Sequence, residues 1–254
     1  MYSGIGSSKC LILGGYVVLN VNKALVISLS PKVTTTSSFL VQNLEHFTIV
    51  VNTLPIRHEY CFTSKDWNEI SNLETKFERF ILSSFHVFFK YCNSTFSNLN
   101  QMIRNKGIEM NIHGDPQFYT EKGKTGLGSS SATTISIFRS LFKLFSENHI
   151  ISPVEDESTL IFKLASIAHN LAQGNLGSGF DLSCSLWGSQ VYRRPNKHLI
   201  SFDHLNEMWD NERIPFILPN NIRCYLLMTP FSWIINTESC SIAQSKSIRR
   251  CRII

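Results

Sequence analysis

Nine residues, Lys124-Thr125-Gly126-Leu127-Gly128-Ser129-Ser130-Ser131-Ala132, join a strand-rich region to an apolar-periodic helix, and this junction most constrains the fold. Before it, short apolar runs are punctuated by turn residues. Cys10–Leu13 and Tyr16–Leu19 are separated by Gly14-Gly15, and Ala24–Leu29 is ended by Pro31. Val33–Thr36, Phe47–Val51 and Glu59–Thr63 continue the pattern, and Ile108–Ile112 is closed by Asp115-Pro116. Runs bounded in this way predict an antiparallel or mixed sheet. Between them, Leu73, Phe77, Phe80, Ile81, Ser84 and Phe88 fall at three- and four-residue spacing, with polar Glu74, Lys76, Glu78 and Arg79 on the other face. After the junction, Ile135, Phe138, Leu141, Phe142 and Phe145 predict a helix over Thr133–Leu144, and a second is predicted over Thr159–Ala172 behind acidic Glu155, Asp156 and Glu157.

The junction has its own chemistry. Glycines at 126 and 128 let the backbone approach a ligand with no Cβ in the way. The serines place hydroxyls and N–H groups at a helix start, where orphan donors and the helix dipole favour an anion such as phosphate. The pattern is neither a Walker A loop nor GxGxxG. A plain turn with N-capping serines would leave the same signature, so the loop alone admits both readings.

Two further segments bear on that choice. His169 to Asp181 ends a helix, turns on Gly174, Gly177 and Gly179, and delivers one acid. Asp181 can take or orient a substrate proton, or it can N-cap a helix over Leu182–Leu186. His169 in an apolar helix reads as a packed or hydrogen-bonded residue more than as a base. Near the start, Lys9 enters a buried strand, either to meet an anion or to stand at an edge.

Taken in order, the three segments resemble the GHMP kinase superfamily, and within it the fungal and plant type of phosphomevalonate kinase. Lys9 and Gly14-Gly15-Tyr16-Val17-Val18-Leu19 match the family's opening motif, with Ser7-Ser8 where Pro-Gly is expected. Residues 124–132 match its ATP motif apart from Ser131, and His169–Asp181, continuing through Tyr192-Arg193-Arg194, is similar to the phosphomevalonate kinase subtype. The similarity runs from about residue 8 to Pro219.

The resemblance implies an α+β fold like the second domain of ribosomal protein S5, with a left-handed βαβ crossover. It implies an N-terminal ATP-binding domain over 1–212 and the truncated start of a C-terminal domain over 213–254. The implied reaction moves the γ-phosphoryl group of ATP, with Mg²⁺, onto 5-phosphomevalonate to give 5-diphosphomevalonate. Carried over, Asp181, Lys9 and Lys124 are the catalytic set. Gly126, Leu127, Gly128, Ser129, Ser130, Ser131 and Ala132 hold the ATP phosphates, Ser129 also meets the metal, and Ser178, Gly179, Arg193 and Arg194 meet the acceptor. Past Pro219 the family's glycine-rich motifs are missing: Leu226–Met228 reads as a strand, Thr229–Trp233 does not resemble the expected loop, and no glycine follows Gly188. A non-catalytic nucleotide-binding remnant, or a related kinase with another acceptor, is the alternative.

Composition excludes other partners. The net charge of +5 comes from scattered Lys and Arg, too dispersed for a nucleic-acid face. No apolar run has the length of a membrane span, and no secretory leader is expected. Seven cysteines without a CxxC pair, lying in apolar runs, fit reduced thiols of a cytoplasmic protein.

Overall fold

The computed structural model describes residues 1–20, 22–41, 47–54, 58–63, 76–96, 106–121 and 123–219. Strands β1 (Tyr2–Leu13), β2 (Ala24–Val41), β3 (Thr48–Leu54), β4 (His58–Thr63), β5 (Lys106–Gly114), β8 (Gln190–Arg193) and β9 (Glu212–Pro215) form one sheet. A two-stranded hairpin, β6 (Tyr119–Thr120) and β7 (Gly123–Lys124), stands apart. The helices are α1 (Lys76–Thr95), α2 (Ser129–Glu147), α3 (Glu157–Gln173) and α4 (Phe180–Trp187).

Sheet order follows β4-β3-β5-β2-β8-β9, with β1 along the other edge of β2. Most neighbours are antiparallel, as the short bounded runs predict. The exception is β3 with β5, a parallel pair whose connection passes through β4 and α1. Strand β2 organises the whole: β5 pairs with Val33–Val41, β8 with Ala24–Val26, and β1 runs along the opposite edge from Leu25 to Ser37.

Helix α2 lies on this sheet through small side chains. Along β1, Gly4, Gly6 and Ser8 are buried and alternate with Ser3, Ile5 and Ser7, which are not. On β2 the buried Thr35 and Ser37 meet Ser136 and Ser140 of α2, with Oγ1–Oγ 2.6 Å and Oγ–Oγ 2.7 Å respectively. The other side of α2 carries the predicted apolar stripe, with Ile135, Phe138, Leu141, Phe142 and Phe145 all buried. Phe88 of α1 sets its ring edge-on to Phe138, Phe142 and Phe145 at 5.0–6.5 Å, a favoured geometry for aromatic pairs.

Three local expectations change. Tyr16–Leu19 is no strand: Gly15–Asn20 is a 3₁₀ turn, entered through Gly14 at φ 116° and closed by Val17 N–H donating to Gly14 O at 2.9 Å. Pro31 does not end its strand, because the β1 register jumps from Ser7↔Lys32 to Ser8↔Leu29 and leaves Ser30 and Pro31 in a bulge, where no ladder N–H is needed. Helix α2 starts at Ser129, ahead of its apolar stripe, since the serines form its first turn. The expected strand Leu226–Met228, the loop at Thr229–Trp233 and everything past 219 in the expected second domain lie outside the described residues. Strand β9 pairs with β8, so the sheet continues past the expected boundary at 212.

Asp156 illustrates the helix-start chemistry. It N-caps α3, its Oδ1 accepting from Thr159 N–H at 3.0 Å, and hydrogen bonding from the Thr159 side chain, then from that N–H, holds its carboxyl below the usual range. Asp156→Ala is expected to cost about 1 kcal/mol of stability at neutral pH. The stabilisation belongs to the ionised form of a group whose folded pKa is depressed. It is therefore present above the unfolded value near 3.8 and lost as pH falls through the folded one. Chemical denaturation at pH 7 and at pH 2.5 checks this, the difference between the two proteins shrinking at the lower pH.

Candidate phosphate-binding site

The nine-residue junction is held from three sides. Thr125 N–H donates to Phe118 O at 3.0 Å and its hydroxyl to Gln117 O at 2.9 Å, which ties the loop to the turn after β5. Leu127 is buried and anchors the middle. Lys9 N–H of β1 donates to Leu127 O at 3.0 Å, and Lys9 Nζ donates to Gly126 O at 3.3 Å. Gly128 is the residue before α2, in the left-handed region at φ 83°, and no side chain caps the helix start behind it. The first-turn N–H groups of Ser129, Ser130 and Ser131 have no carbonyl within their own helix to bond, the condition under which a helix start takes an anion. A Cβ at 128 would come within 2.7 Å of Lys9 Cε, so the Lys9 stem lies directly against that glycine.

The three serines have different surroundings. Ser129 is buried and Ser130 half-buried. Ser131 turns its hydroxyl inward, donating to Gly128 O at 2.9 Å, with Ser185 Oγ of α4 at 3.4 Å; Ser185 in turn donates to Ser7 O at 2.6 Å. Serine at 131, the one departure from the ATP motif, thus joins the internal bracing between β1, α2 and α4. Ala132 packs its backbone against Gly6.

The second glycine segment meets the first through α4. Helix α3 ends at Gly174 in the left-handed region, and Asn170 Oδ1 accepts Gly177 N–H at 2.8 Å. Gly179, also left-handed, precedes α4, so the N-cap is Gly179 rather than Asp181. A Cβ on Gly179 would lie 3.0 Å from the Tyr192 hydroxyl, which donates to Ser178 O at 3.0 Å. Asp181 sits in the first turn with its side chain partly exposed, Oδ1 accepting from Leu182 N–H at 3.0 Å. Lys9 Nζ lies 5.7 Å from the centre of the Phe180 ring, so one lysine touches both the loop and α4. Charge shows the same convergence: burial pushes the Cys184 thiol up to about 12, the Lys9 ammonium pulling it down and the Asp181 carboxylate pushing it up.

The remaining expected residues lie farther out. Lys124 is exposed on β7. Ser178 and Gly179 line a small pocket with Ser166, His169, Tyr192 and Pro195. Arg193 is engaged at the β8–β9 pairing, with Nη2 donating to Asp210 O at 2.5 Å and Nε 3.4 Å from Glu212 Oε2. Arg194 is fully buried, its guanidinium 3.3 Å from Pro195 O and 3.4 Å from Leu19 O. His169 is buried and packed against Phe80, as expected of it, but its place beside Asp181, with Nε2 3.9 Å from Asp181 Oδ2, was not legible in the sequence. No periodicity links two residues on different helices across a glycine turn. Among the described residues no group of three His, Cys, Asp or Glu could cage a metal, and no helix is long and apolar enough to cross a membrane.

No family model matches the chain. The peroxisomal phosphomevalonate kinase of Arabidopsis thaliana is 35% identical over 127 residues, which cover 42% of this chain and 25% of that one. The phosphomevalonate kinase of Saccharolobus solfataricus is 38% identical over 89 residues, covering 35% and 25%. The chain thus spans about a quarter of the length of the curated relatives it matches. Among solved structures, Streptococcus pneumoniae phosphomevalonate kinase in complex with phosphomevalonate and AMPPNP aligns with TM-score 0.55 at 16% identity, over 84% of this chain and 58% of that one. A mevalonate kinase aligns with TM-score 0.52 at 17% identity, over 75% and 53%. The fold is the mixed α+β fold of these kinases, and the curated relatives that the sequence matches in part are phosphomevalonate kinases.

Proposed function

We propose that the chain contributes the nucleotide and acceptor site of a phosphomevalonate kinase, transferring the γ-phosphoryl group of ATP to the phosphate of 5-phosphomevalonate. The observation that carries this is the uncapped start of α2 at Gly128, with Lys9 of β1 touching both that loop and α4, the helix of Asp181. An oxygen of the acceptor phosphate attacks the γ-phosphorus, the bond to the bridging oxygen breaks, and ADP leaves. Such a transfer asks the protein for positioning and charge stabilisation more than for covalent chemistry. Gly126, Leu127, Gly128 and the helix-start N–H groups of Ser129, Ser130 and Ser131 cradle the phosphates, with Ala132 N–H closing the first turn onto Gly128 O at 3.1 Å; Lys9 neutralises charge near the transferred group, and Lys124 assists from the loop's entrance. A phosphate monoester is mostly dianionic near pH 7, so Asp181 orients the acceptor more than it deprotonates it. Ser178 and Gly179 line the acceptor pocket. Arg193 braces β9, and buried Arg194 adds positive potential.

The donor set suits Mg²⁺ carried in on the nucleotide. Such an ion keeps waters and phosphate oxygens and needs few protein ligands, and the Ser129 hydroxyl offers one at the helix start. When bound it would neutralise charge on the phosphates. The compartment we propose is the cytosol, on the buried thiols of Cys92 and Cys184; the plant relative is named peroxisomal.

ADP release from ATP is expected to depend on 5-phosphomevalonate and to vanish in Asp181→Ala and Ser129→Ala. A folded sample that binds ATP but turns over none of a panel of acceptors would overturn the kinase reading. It would favour a non-catalytic nucleotide-binding remnant. Turnover of mevalonate in place of its phosphate would reassign the acceptor.

A further inference from the structure

We propose that His169 is a positioning residue for Asp181, holding the Oδ2 edge of its carboxylate so that one orientation faces the acceptor; its catalytic consequence rests on the kinase reading above. The carboxylate has two edges and only one is held by its own helix, Oδ1 accepting from Leu182 N–H at 3.0 Å. The other edge faces α3, where His169 Nε2 stands 3.9 Å away. At that distance the contact is a charge pairing rather than a hydrogen bond, and it operates while the imidazole carries its proton. The pair is sheltered, with side-chain exposures of 4% for His169 and 19% for Asp181, so solvent screens it less than a surface pair.

The ring of His169 is itself fixed. Phe80 of α1 packs on it with centroids 4.7 Å apart, and α3 is capped at both ends, by Asp156 and by Gly174. His169 and Tyr192 line the same small pocket as Ser178 and Gly179. The charged and titratable groups facing the pair are few. On α4, Cys184 feels both Asp181 and Lys9. On β8, Tyr192 is raised by burial and further by Asp181, while Arg194 opposes that rise. From α1 the contact is the uncharged Phe80 ring. The carboxylate is thus held on one edge by Leu182 N–H and faced on the other by the His169 ring. The second contact is not visible along the sequence.

The test has a spectroscopic arm and a kinetic arm, both on the full chain. The imidazole signals of His169, followed by NMR across pH in ¹³C-histidine-labelled protein, are expected to titrate about one unit lower in Asp181→Asn than in the parent, a tenfold change in proton affinity. Equal midpoints in the two proteins would overturn the proposal whether or not the chain turns over. In the kinetic arm, His169→Phe keeps a ring against Phe80 and removes the charge. It is expected to lower kcat about tenfold with KM for ATP unchanged, and to add nothing in the Asp181→Asn background. A full additional loss in the double variant would show that His169 acts apart from Asp181 and would overturn the proposal. A parent chain without turnover would count against the kinase reading alone, and the NMR arm would still decide the pairing.

Discussion

Replacing Lys9 by Met is expected to lower kcat by about 10²–10³ while leaving the chain folded, the magnitude typical of removing one preorganised charge or donor from a transition state. The stem of Lys9 runs along the face of Gly128, its amide is tied to Leu127 O, and its ammonium lies between Gly126 O and the Phe180 ring. Met keeps the stem and its packing but removes the charge. Arg is expected not to rescue, because the Lys9 Cε already lies 2.7 Å from where a Cβ on Gly128 would be, which leaves no width for a planar guanidinium. Steady-state kinetics with ATP and 5-phosphomevalonate, alongside nucleotide binding by fluorescence, separate loss of chemistry from loss of binding. Unchanged kcat in Lys9→Met would remove the lysine from the site.

Gly6→Val is expected to be the most damaging single change to stability. A Cβ at position 6 would stand 2.1 Å from Ala132 O and 2.7 Å from Ala132 C, both backbone atoms of α2. Nearby Gly4 has the same relation to Ser136 O at 2.2 Å. Backbone inside a buried helix cannot swing away like a side chain, so β1 and α2 must separate. Overpacking of this kind costs about 3 kcal/mol or more, which lowers Tm by about 6–12 °C in a chain of this size. Because Lys9 and the start of α2 ride on the same two elements, nucleotide affinity should fall with it. Thermal denaturation checks the first effect, and a loss under 1 kcal/mol would show that the β1–α2 contact is looser than described.

Much of the fold is legible along the chain because its periods are strong. The helices α1, α2 and α3 follow apolar stripes that bury Phe80, Phe88, Phe138, Phe142 and Leu164, and the short runs of the first half become paired strands. Where local reading failed, a tertiary partner decided the outcome. Pro31 is harmless because the β1 register shifts beside it. Tyr16–Leu19 has the apolarity of a strand, yet two glycines at positive φ turn it into 3₁₀ geometry. The small face of α2, with Ala132, Ser136 and Ser140, carries no apolar signal, yet it is the face against β1 and β2.

The glycine- and serine-rich loop shows the same division. Its glycines, its serines and its place before a helix were determined by sequence, since left-handed φ and an uncapped helix start are local properties. What surrounds that loop was not local. That depended on a lysine 117 residues away reaching Gly126 O, and on α4 setting the Phe180 ring 5.7 Å from the same lysine. The facing of His169 on a third element and the Asp181 carboxylate is equally non-local. Contacts across such separations leave no period in the chain, because the sheet order and the turns at Gly174 and Gly179, not residue spacing, bring the groups together.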